Sequence, residues 1–524
     1  MKTTSFITIA LLPCVNLYAQ TQPHNVLFIL ADDYGWNDLS CMGSKYYETP
    51  NLDRLAANGI KFTNAYATCQ VSSPSRASIL TGKYTTRHGI TNWIGEKSGE
   101  EWRSMNRHSK LLPADYVHNL PDEEYTIAEC LRDNGYDTFI AGKWHLGNEE
   151  SSPENHGFNI NKGGWEAGSP RGGYFSPYNN PKLSDGAKGE NLSMRLGKET
   201  IDFIRKHQKS NKKKPFFAYL SFYAVHGPIK STQENWQYFR DKAERMGIKE
   251  HGFEIDRALP VRTTQDNPVY TGLIKQMDDA IGTVLDAVKE MGLDKNTLII
   301  FTSDNGGVVS GDAYSTSLHP LRGGKGRQWE GGIRVPLLMS YPGCIAGSTC
   351  NIPTIGTDFY PTILEYAGLP LEPQQHKDGI SIFSILDNKK IEERTLYWHY
   401  PHYGNQGGEP SSIIRKGDWK LIYYYEDKHC ELYNLGIDLS ESEPLNIQYP
   451  DKVKELKTLL DAWLIETNAK VPVADPQYSP LKERQVKRNW HTNILQRQEK
   501  IRMDMLSPHW KPNKDWWGSM ITIG

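Results

Sequence analysis

The chain has 524 residues, with 60 basic and 62 acidic side chains and a formal net charge of −2. This length exceeds what one hydrophobic core usually supports, so we expect one large domain and one smaller domain. The near balance of charge gives no electrostatic argument for nucleic acid or an acidic polymer as a partner. The seven cysteines are too few for a disulfide scaffold in a chain of this length.

The first predicted element is a signal segment. Lys2 precedes an apolar run from Phe6 to Val15, and Leu17-Tyr18-Ala19 follows. This pattern is typical of a cleavable secretory signal that ends near Ala19. Pro13, directly before Cys14, fits a lipid-attachment site badly. No later stretch approaches the roughly 20 apolar residues that a membrane helix needs. We therefore expect residues 1–19 to be a signal peptide and the protein to be exported, to the periplasm or cell surface, without stable membrane insertion.

Apolar runs that alternate with helical patterns predict an α/β sheet covered by helices on both faces. The runs are NVLFILADD, DTFIAGKW, PFFAYLSFY, NTLIIFTSDNG and VPLLMSYP. The helical patterns are TPNLDRLAANG, TIAECLRDNG, NLSMRLGKETIDFIRKH and YTGLIKQMDDAIGTVLDAVKEMG. In the first helix we expect Thr49 as the N-cap, Pro50 in the first turn and Gly59 just past the end.

After about residue 390 the pattern changes. RTLYWHY, SSIIRKGDWKLIYYYED and CELYNL are typical of antiparallel strands joined by turns, and the helical pattern PDKVKELKTLLDAWLIETN follows. We predict a large domain over residues 20–390 and a small α+β domain over residues 391–524, whose terminal tail docks through Trp residues. Cys344 and Cys350 are close enough in sequence to close a small loop, but their spacing is not a zinc signature.

Two of the predicted strands end in acidic residues. Asp32 and Asp33 follow the first run, and Asp304 and Asn305 follow NTLIIFTS. Ligands collect at the carboxyl ends of strands in α/β sheets, and all four side chains offer hard oxygen ligands. Either stretch alone would also suit a helix cap or a turn. Taken together they predict a site for a divalent cation.

The segment VSSPSRASILTG contains four serines but no G-x-S-x-G elbow, so the usual serine hydrolase arrangement does not apply. Within it, SSPSRASILTG resembles the signature of the sulfatase family: Cys or Ser, any residue, Pro, a small residue, Arg, three residues, then Leu-Thr-Gly. The segments GKWHLG, HGP, SDNG and GKGRQWEGG follow in the order expected for that family. The resemblance covers about residues 23 to 470.

The resemblance implies an alkaline phosphatase-like fold, with a large mixed, mostly parallel sheet and a smaller C-terminal α+β domain that contains an antiparallel sheet. It also implies that Ser72 is converted to formylglycine, whose hydrated aldehyde attacks sulfur while a divalent cation holds it. Ca²⁺ is the first choice of cation and Mg²⁺ the alternative. Ser rather than Cys at this position implies a maturase of the anaerobic radical type, and hence a bacterium.

The resemblance further assigns roles to five side chains that match positions of the family's motifs. Arg76 would hold the formylglycine oxygen, and Lys143 and Lys325 would contact the sulfate group. His226 would deliver a proton to the departing sugar oxygen, and His145 would remove one from the remaining diol hydroxyl. Ser72 would also be a ligand of the cation.

The sequence thus predicts a sulfatase that acts on a sulfated carbohydrate, with galactose or N-acetylgalactosamine sulfated at O4 or O6 as the first expectation. One alternative is a phosphomonoester or phosphodiester hydrolase on the same scaffold, although such enzymes commonly carry more metal ligands. The other is a sugar-binding protein without activity, in which Ser72 stays unmodified.

Three stretches are suited to recognising the sugar around the sulfate site. They are residues 162–175 with Trp165 and Arg171, residues 85–95 with His88 and Trp93, and residues 397–412 with His399, His402 and Asn405. An aromatic face covers the apolar side of a sugar ring, and polar groups distinguish its hydroxyls. Ligand pockets are common at domain interfaces, so we predict that His402, in the stretch between the domains, binds the sugar.

Overall fold

The computed structural model describes residues 24–210, 214–257, 259–386, 393–511 and 519–522. The predicted signal peptide and the predicted domain boundary at residue 390 lie outside these residues. In chain order the strands are β1 (Asn25–Ala31), β2 (Ile60–Phe62), β3 (Ala65–Tyr66), β4 (Leu111–Leu112), β5 (Asp137–Gly142), β6 (Ile160–Lys162), β7 (Phe216–Ser221), β8 (Ile229–Thr232), β9 (Phe253–Asp256), β10 (Leu259–Arg262), β11 (Thr297–Ser303), β12 (Leu337–Ser340), β13 (Ser348–Cys350), β14 (Thr354–Ile355), β15 (Thr395–Tyr400), β16 (Ser411–Lys416), β17 (Trp419–Tyr424), β18 (Cys430–Asn434), β19 (Val473–Ala474) and β20 (Ser519–Thr522).

The α-helices are α1 (Pro50–Asn58), α2 (Ser72–Thr81), α3 (Thr85–His88), α4 (Ile127–Asp133), α5 (Leu192–Ser210), α6 (Gln233–Met246), α7 (Pro268–Glu290), α8 (Glu330–Ile333), α9 (Phe359–Ala367), α10 (Ile382–Leu386), α11 (Pro450–Glu466) and α12 (Pro480–Leu506). None of them, in the part of the chain described, is long and apolar enough to cross a bilayer.

An eight-stranded sheet forms the centre of the large domain, in the order β13-β2-β12-β11-β1-β7-β5-β6. Strands β11, β1, β7, β5 and β6 run parallel, and β12 runs antiparallel to both of its neighbours. Alternate side chains of β1 enter two different apolar clusters, one on each face of the sheet. Burial on both faces explains the continuous apolar run that predicts this strand. The sheet is mixed and mostly parallel, as predicted.

Helix α1 starts as predicted, with Thr49 as its N-cap residue, but the Thr49 side chain does not cap it. Thr49 is the N-cap residue, yet its side chain makes no capping hydrogen bond and instead accepts one from the backbone N–H of Ser40, at 3.0 Å. Asp278, on helix α7, accepts the hydrogen bonds of the Asn51 and Leu52 backbone N–H groups, at 3.0 and 2.9 Å. A tertiary contact therefore supplies the acceptors for the first backbone N–H groups of the helix, in place of the side chain of the N-cap residue.

The C-terminal sheet is antiparallel, in the order β15-β16-β17-β18, and helix α11 packs on it through Leu456, Leu460 and Trp463. The prediction of an antiparallel C-terminal sheet is confirmed. Helix α12 then returns to the large domain, where Met505 and Leu506 join the apolar core. Within the described residues, Cys344 and Cys350 are both free thiols.

A buried ion cluster joins the C-terminal sheet to the large domain. Lys420 Nζ, on strand β17, lies 3.1 Å from a carboxylate oxygen of Glu330 and 2.7 Å from one of Glu441. All three side chains are fully buried. Because Glu330 belongs to helix α8 of the large domain, the ammonium group holds together two carboxylates that would otherwise repel each other across the interface.

Replacing Lys420 should weaken the packing of the C-terminal sheet against the rest of the protein. Lys420→Met leaves the buried Glu441 carboxylate without its cation, while Glu330 keeps Arg334 at 3.4 Å. Breaking a buried ion pair in this way costs about 3–5 kcal/mol. We expect the melting temperature in a thermal denaturation experiment to fall by several degrees. The control is Lys416→Met on the neighbouring strand, because Lys416 forms an exposed ion pair with Glu455 worth at most about 1 kcal/mol. Equal effects of the two substitutions would show that the buried cluster does not stabilise this packing.

Candidate active site

The acidic residues at the ends of β1 and β11 lie side by side. The two strands are parallel, and Ala31 pairs with Ser303, so Asp32 and Asp304 emerge at the same edge of the sheet. Carboxylate oxygens of Asp32, Asp33 and Asp304 all lie within 4.8 Å of one another, and the three side chains are buried. We refer to these three residues as the acid cluster. Asn305 is buried beside it and donates a hydrogen bond from Nδ2 to Asp33 Oδ1, at 2.8 Å.

Ser72 lies against the acid cluster as the first residue of helix α2. Its Oγ is 3.3 Å from Asp32 Oδ1, 3.3 Å from Asn305 Oδ1 and 3.3 Å from Lys143 Nζ. No other serine of the segment 72–78 has such surroundings in the described chain, since Ser73 and Ser75 bind backbone groups and Ser78 contacts His88. The structure thus brings Ser72 together with the predicted metal-ligating residues.

Each carboxylate of the acid cluster has its own basic partner. Lys143 Nζ is 2.7 Å from Asp32, Lys325 Nζ is 2.8 Å from Asp33, and Arg76 Nε is 2.8 Å from Asp304. Arg76 also donates hydrogen bonds from Nη1 to the Lys143 carbonyl and to Ser221 Oγ, at 3.2 and 2.8 Å. Three acids and three bases balance in formal charge within a buried volume.

The electrostatics of the acid cluster fit a bound cation. Burial, together with the Asp304 and Asp33 carboxylates, raises the pKa of Asp32 to about 8 against the lowering effect of Lys143 and Arg76. Burial also acts on Asp33, but Lys325 and His226 outweigh it and hold the pKa of that carboxyl well below its usual range. The raised pKa means that further positive charge would stabilise the ionised form of Asp32. Three carboxylates with an amide oxygen form a donor set suited to Ca²⁺ or Mg²⁺.

Two histidines flank the acid cluster. His226 Nε2 is 3.7 Å from Asp33 Oδ2, and its Nδ1 lies 2.6 Å from the Gly227 carbonyl oxygen. His145 Nε2 lies 3.3 Å from the Ile94 carbonyl oxygen, while Nδ1 has no hydrogen-bond partner among the described residues. A carbonyl oxygen only accepts, so in each neutral ring the nitrogen next to it carries the proton. Burial, with Lys325 acting in the same direction, lowers the pKa of His226 to about 3.

A cavity of about 470 Å³ opens above Ser72, and we call it the active-site pocket. Ser72, His145, His226 and Lys325 line it. Each of the three stretches predicted to recognise the sugar also contributes to its wall. The contributing residues are Trp93, Arg171 and Asn405.

The prediction that His402 faces the sugar is wrong. Its side chain is fully buried, its Nε2 lies 2.9 Å from Thr91 Oγ1, and its ring packs against Tyr400 and Tyr116. His399 is likewise buried and bonded to Ser412 Oγ and to the Lys470 carbonyl. The chain turns after these histidines, so Asn405 and its neighbour face the active-site pocket instead.

Sequence reasoning missed several groups at the pocket. Three of them line its wall: Asp312, Gln406 and Glu166. The fourth, Ser221, accepts a hydrogen bond from Arg76 Nη1. Gln406 adjoins the predicted Asn405, and Glu166 lies within the predicted stretch 162–175, so a closer reading of those stretches could have found both. Asp312 stands in an irregular loop without any motif, and only the fold brings it to the pocket.

Comparisons with known proteins agree with this arrangement. The family profile described as Sulfatase matches residues 24–369, and the profile described as N-sulphoglucosamine sulphohydrolase, C-terminal, matches residues 325–470. The chain belongs to the sulfatase family. The sulfatase fold accounts for the mostly parallel sheet and for the C-terminal antiparallel sheet, and membership makes the protein a sulfuric ester hydrolase.

Several individual sulfatases are similar over most of the chain. A sulfatase of Formosa agariphila is 33% identical over 525 aligned positions, which cover 86% of this chain and 90% of that protein. Human N-acetylgalactosamine-6-sulfatase is 30% identical, with 80% of this chain and 74% of that protein covered. The crystal structure of Ps i-CgsB in complex with k-i-k-neocarrahexaose superposes with a TM-score of 0.69 at 26% identity, covering 91% of this chain and 100% of that one.

Neutralising two members of the acid cluster should abolish cation binding. Asp32→Asn with Asp33→Asn keeps the size of the side chains but removes two of three anionic ligands. We expect elemental analysis after dialysis to find about one calcium per chain in the original protein and close to none in the double variant. The control is Asp38→Asn, because Asp38 is buried nearby but binds the Tyr270 and Thr316 hydroxyl groups. An undiminished calcium content in the double variant would refute the assignment.

Proposed function

We propose that this sulfatase removes sulfate from a sulfated carbohydrate, with galactose or N-acetylgalactosamine sulfated at O4 or O6 as the sugar. Two observations on relatives support this substrate class: one is named N-acetylgalactosamine-6-sulfatase, and the solved structure of another contains a neocarrahexaose. The active-site pocket also offers what a sugar needs, since Trp93 provides an aromatic face and Asn405 a hydrogen-bonding amide.

The observation that carries the proposal is the position of Ser72 Oγ, within 3.3 Å of both Asp32 and Asn305. No histidine in the described residues contacts this hydroxyl, so it lacks the base that activates an ordinary catalytic serine. Asp32 and Asn305 would be occupied as cation ligands. We therefore propose that Ser72 is a precursor, which a maturase of the anaerobic radical type converts to formylglycine, and that the hydrated aldehyde supplies the nucleophile.

The acid cluster and Asn305 would hold the cation, together with the oxygen of residue 72. Ca²⁺ is our first choice and Mg²⁺ the alternative, because every donor is a hard oxygen. A bound dication would lower the pKa of the oxygen that it holds and polarise the sulfate oxygens. Export of the protein through the signal peptide at residues 1–19 stays a prediction.

The basic side chains would stabilise charge on the sulfate oxygens. Lys143 donates to Asp32 and to Ser72 Oγ, which leaves one N–H for the ester. Lys325 donates to Asp33 and has two N–H groups left. Arg76 Nη2 is buried without a hydrogen-bond partner in the described chain, and it lies 3.7 Å from Asp32 Oδ1, beside Ser72. It is placed to hold the oxygen of residue 72. Positive groups that already lie where negative charge develops in the transition state contribute strongly to catalysis.

The two histidines would carry the protons. His226 keeps Nδ1–H on the Gly227 carbonyl, so its Nε2 is the atom that would deliver a proton to the departing sugar oxygen. An anionic ester bound beside Lys325 would favour the protonated ring that this step needs. His145 keeps Nε2–H on the Ile94 carbonyl, so its unpartnered Nδ1 would take a proton from residue 72.

The alternatives are less well supported. A phosphohydrolase on this scaffold would commonly hold more metal, whereas the described residues form one carboxylate cluster of three members. A sugar-binding protein without activity would not need two lysines and two histidines around Ser72. Of the three functions, the sulfatase gives a role to the acid cluster, its three basic partners and both histidines.

Maturation of Ser72 is the first property to test. Protein produced together with a serine-type anaerobic maturase should contain a peptide in which residue 72 is lighter by two hydrogens, as measured by mass spectrometry. Protein produced without the maturase should keep Ser72 and release sulfate from the sugar esters at a rate lower by several orders of magnitude, since the nucleophile is absent. Full turnover by the unmodified protein would contradict the mechanism.

The proposed role of His145 predicts a steric requirement at Gly168. A Cβ atom added at Gly168 would lie 2.5 Å from Cε1 and 2.6 Å from Nε2 of the His145 ring, so the ring must move. Displacing a catalytic group by about 1 Å can cost roughly 100-fold in rate. We expect Gly168→Ala to lower kcat for sulfate release by about that factor, with little change in melting temperature.

Gly356→Ala is the matched control, because its added Cβ would meet its nearest neighbour at an ordinary 3.5 Å. This variant should keep its full kcat. If Gly168→Ala also kept full kcat, the ring of His145 would not be the base.

A further inference from the structure

Two carboxylates on the wall of the active-site pocket, Asp312 and Glu166, belong neither to the acid cluster nor to an ion pair in the described chain, and Asp312 is the less exposed of the two. Asp312 lines the same cavity as Ser72, His226 and Lys325. Its Oδ2 accepts a hydrogen bond from Gln406 Nε2, at 2.5 Å. Within the described ranges, no basic side chain lies within ion-pair distance of it. Asp312 therefore presents to the pocket a carboxylate that no ion pair occupies, although the charges of Lys325 and Arg107 act on it from beyond ion-pair distance.

Two loops from different domains hold Asp312 in place. Gln406 belongs to the C-terminal domain, and its own carbonyl accepts a hydrogen bond from Ser310 Oγ, at 2.6 Å. The same loops approach closely at Gly311, where an added Cβ would lie 2.6 Å from the Asn405 carbonyl oxygen. Asp312 is thus a fixed acceptor, and fixed polar groups discriminate strongly between ligands that pair with them and ligands that do not.

The chemistry of this wall limits what can stand against it. A carboxylate has about four acceptor positions, of which Gln406 uses one. Sugar hydroxyl groups can fill the others with charge-assisted hydrogen bonds. A second sulfate group has no proton to donate and would be repelled by the carboxylate. The side of the wall formed by Asp312 therefore favours free hydroxyls over anions, whereas Arg171 and Lys325 lie elsewhere on the lining. A local repulsive element of this kind produces specificity.

We propose that Asp312 is a specificity-determining residue, which accepts hydrogen bonds from free hydroxyl groups of the sugar ring that carries the scissile sulfate and excludes rings with a second sulfate on that side. The substrate class is then a sugar ring with a single sulfate and unsubstituted neighbouring hydroxyls. This inference rests on the proposed function, in which the substrate is a carbohydrate. It specifies the sulfation pattern of the sugar ring that fits the pocket.

The direct test compares Asp312→Asn with the original protein in binding to singly and doubly sulfated sugars. The probes are N-acetylgalactosamine 4-sulfate, its 6-sulfate and its 4,6-disulfate, measured by titration calorimetry on calcium-loaded protein that retains Ser72 and does not turn over. We expect the original protein to bind the better of the two monosulfates more tightly than the disulfate. Asp312→Asn should bind that monosulfate about tenfold more weakly, as for one lost charge-assisted hydrogen bond, and the disulfate more tightly.

Two further variants of the same wall separate charge from shape. Asp312→Glu keeps the carboxylate and should keep the rejection of the disulfate. Gln406→Ala removes the partner of Asp312 but leaves its charge, and it should also keep that rejection. If Gln406→Ala reproduced the whole effect of Asp312→Asn, Asp312 would only position the loop, and the proposal would be overturned.

Glu96→Gln is the matched control for net charge. Glu96 is buried, accepts a hydrogen bond from the Lys97 backbone N–H at 3.0 Å, and is not part of the pocket wall, although Gly95 beside it is. The ratio of monosulfate to disulfate affinity in this variant should stay within about twofold of that in the original protein, because a hydrogen bond to the sugar needs contact. Melting temperatures of all variants show whether each is folded.

The proposal and the function on which it rests fail in different ways. Absence of sulfate release from every sugar ester by matured protein, measured by ion chromatography, would refute the carbohydrate sulfatase. The same ratio of monosulfate to disulfate affinity in the original protein and in folded Asp312→Asn would refute the role of Asp312, whatever the turnover.

Discussion

The balance of buried charge at the carboxyl ends of β1 and β11 is the constraint on which the rest of the structure depends. Three carboxylates lie together without access to water, which is unfavourable unless positive charge is supplied at short range. Lys143, Lys325 and Arg76 supply it from three separate segments of the chain. Strand β5, the loop after β11 and helix α2 must therefore converge on one edge of the sheet. The same convergence places Ser72 at the centre.

The segments around the two sheets contribute different groups to the site. Every group that would act on the sulfate ester lies in the part of the chain around the eight-stranded sheet, whereas Asn405 and Gln406, on the pocket wall, lie between β15 and β16 of the antiparallel sheet. The buried contact of Lys420 with Glu330 and Glu441 fixes the antiparallel sheet against the rest of the protein. Rigid attachment matters because recognition of hydroxyl groups requires acceptors that do not move with the ligand.

Much of the site could be predicted because it depends on local rules. Apolar runs that end in acids predict where Asp32 and Asp304 emerge, since parallel strands present their carboxyl ends at one edge. Side-chain direction in loops follows no such rule. The sequence predicts His402 in the pocket, but the ring is buried against Tyr116 and Tyr400 and is bonded to Thr91. The cap of helix α1 by Asp278 and the position of Asp312 likewise arise from tertiary contacts that no sequence spacing indicates.

The central claim is that a divalent cation completes the acid cluster together with the oxygen of residue 72. A high-resolution crystal structure of the matured protein, loaded with calcium and measured for anomalous scattering, tests it most directly. The account predicts one calcium ion at about 2.3–2.6 Å from oxygen atoms of Asp32, Asp33, Asp304, Asn305 and residue 72. An acid cluster that remains without an ion at saturating calcium, with its carboxylates still bound only to Lys143, Lys325 and Arg76, would contradict it.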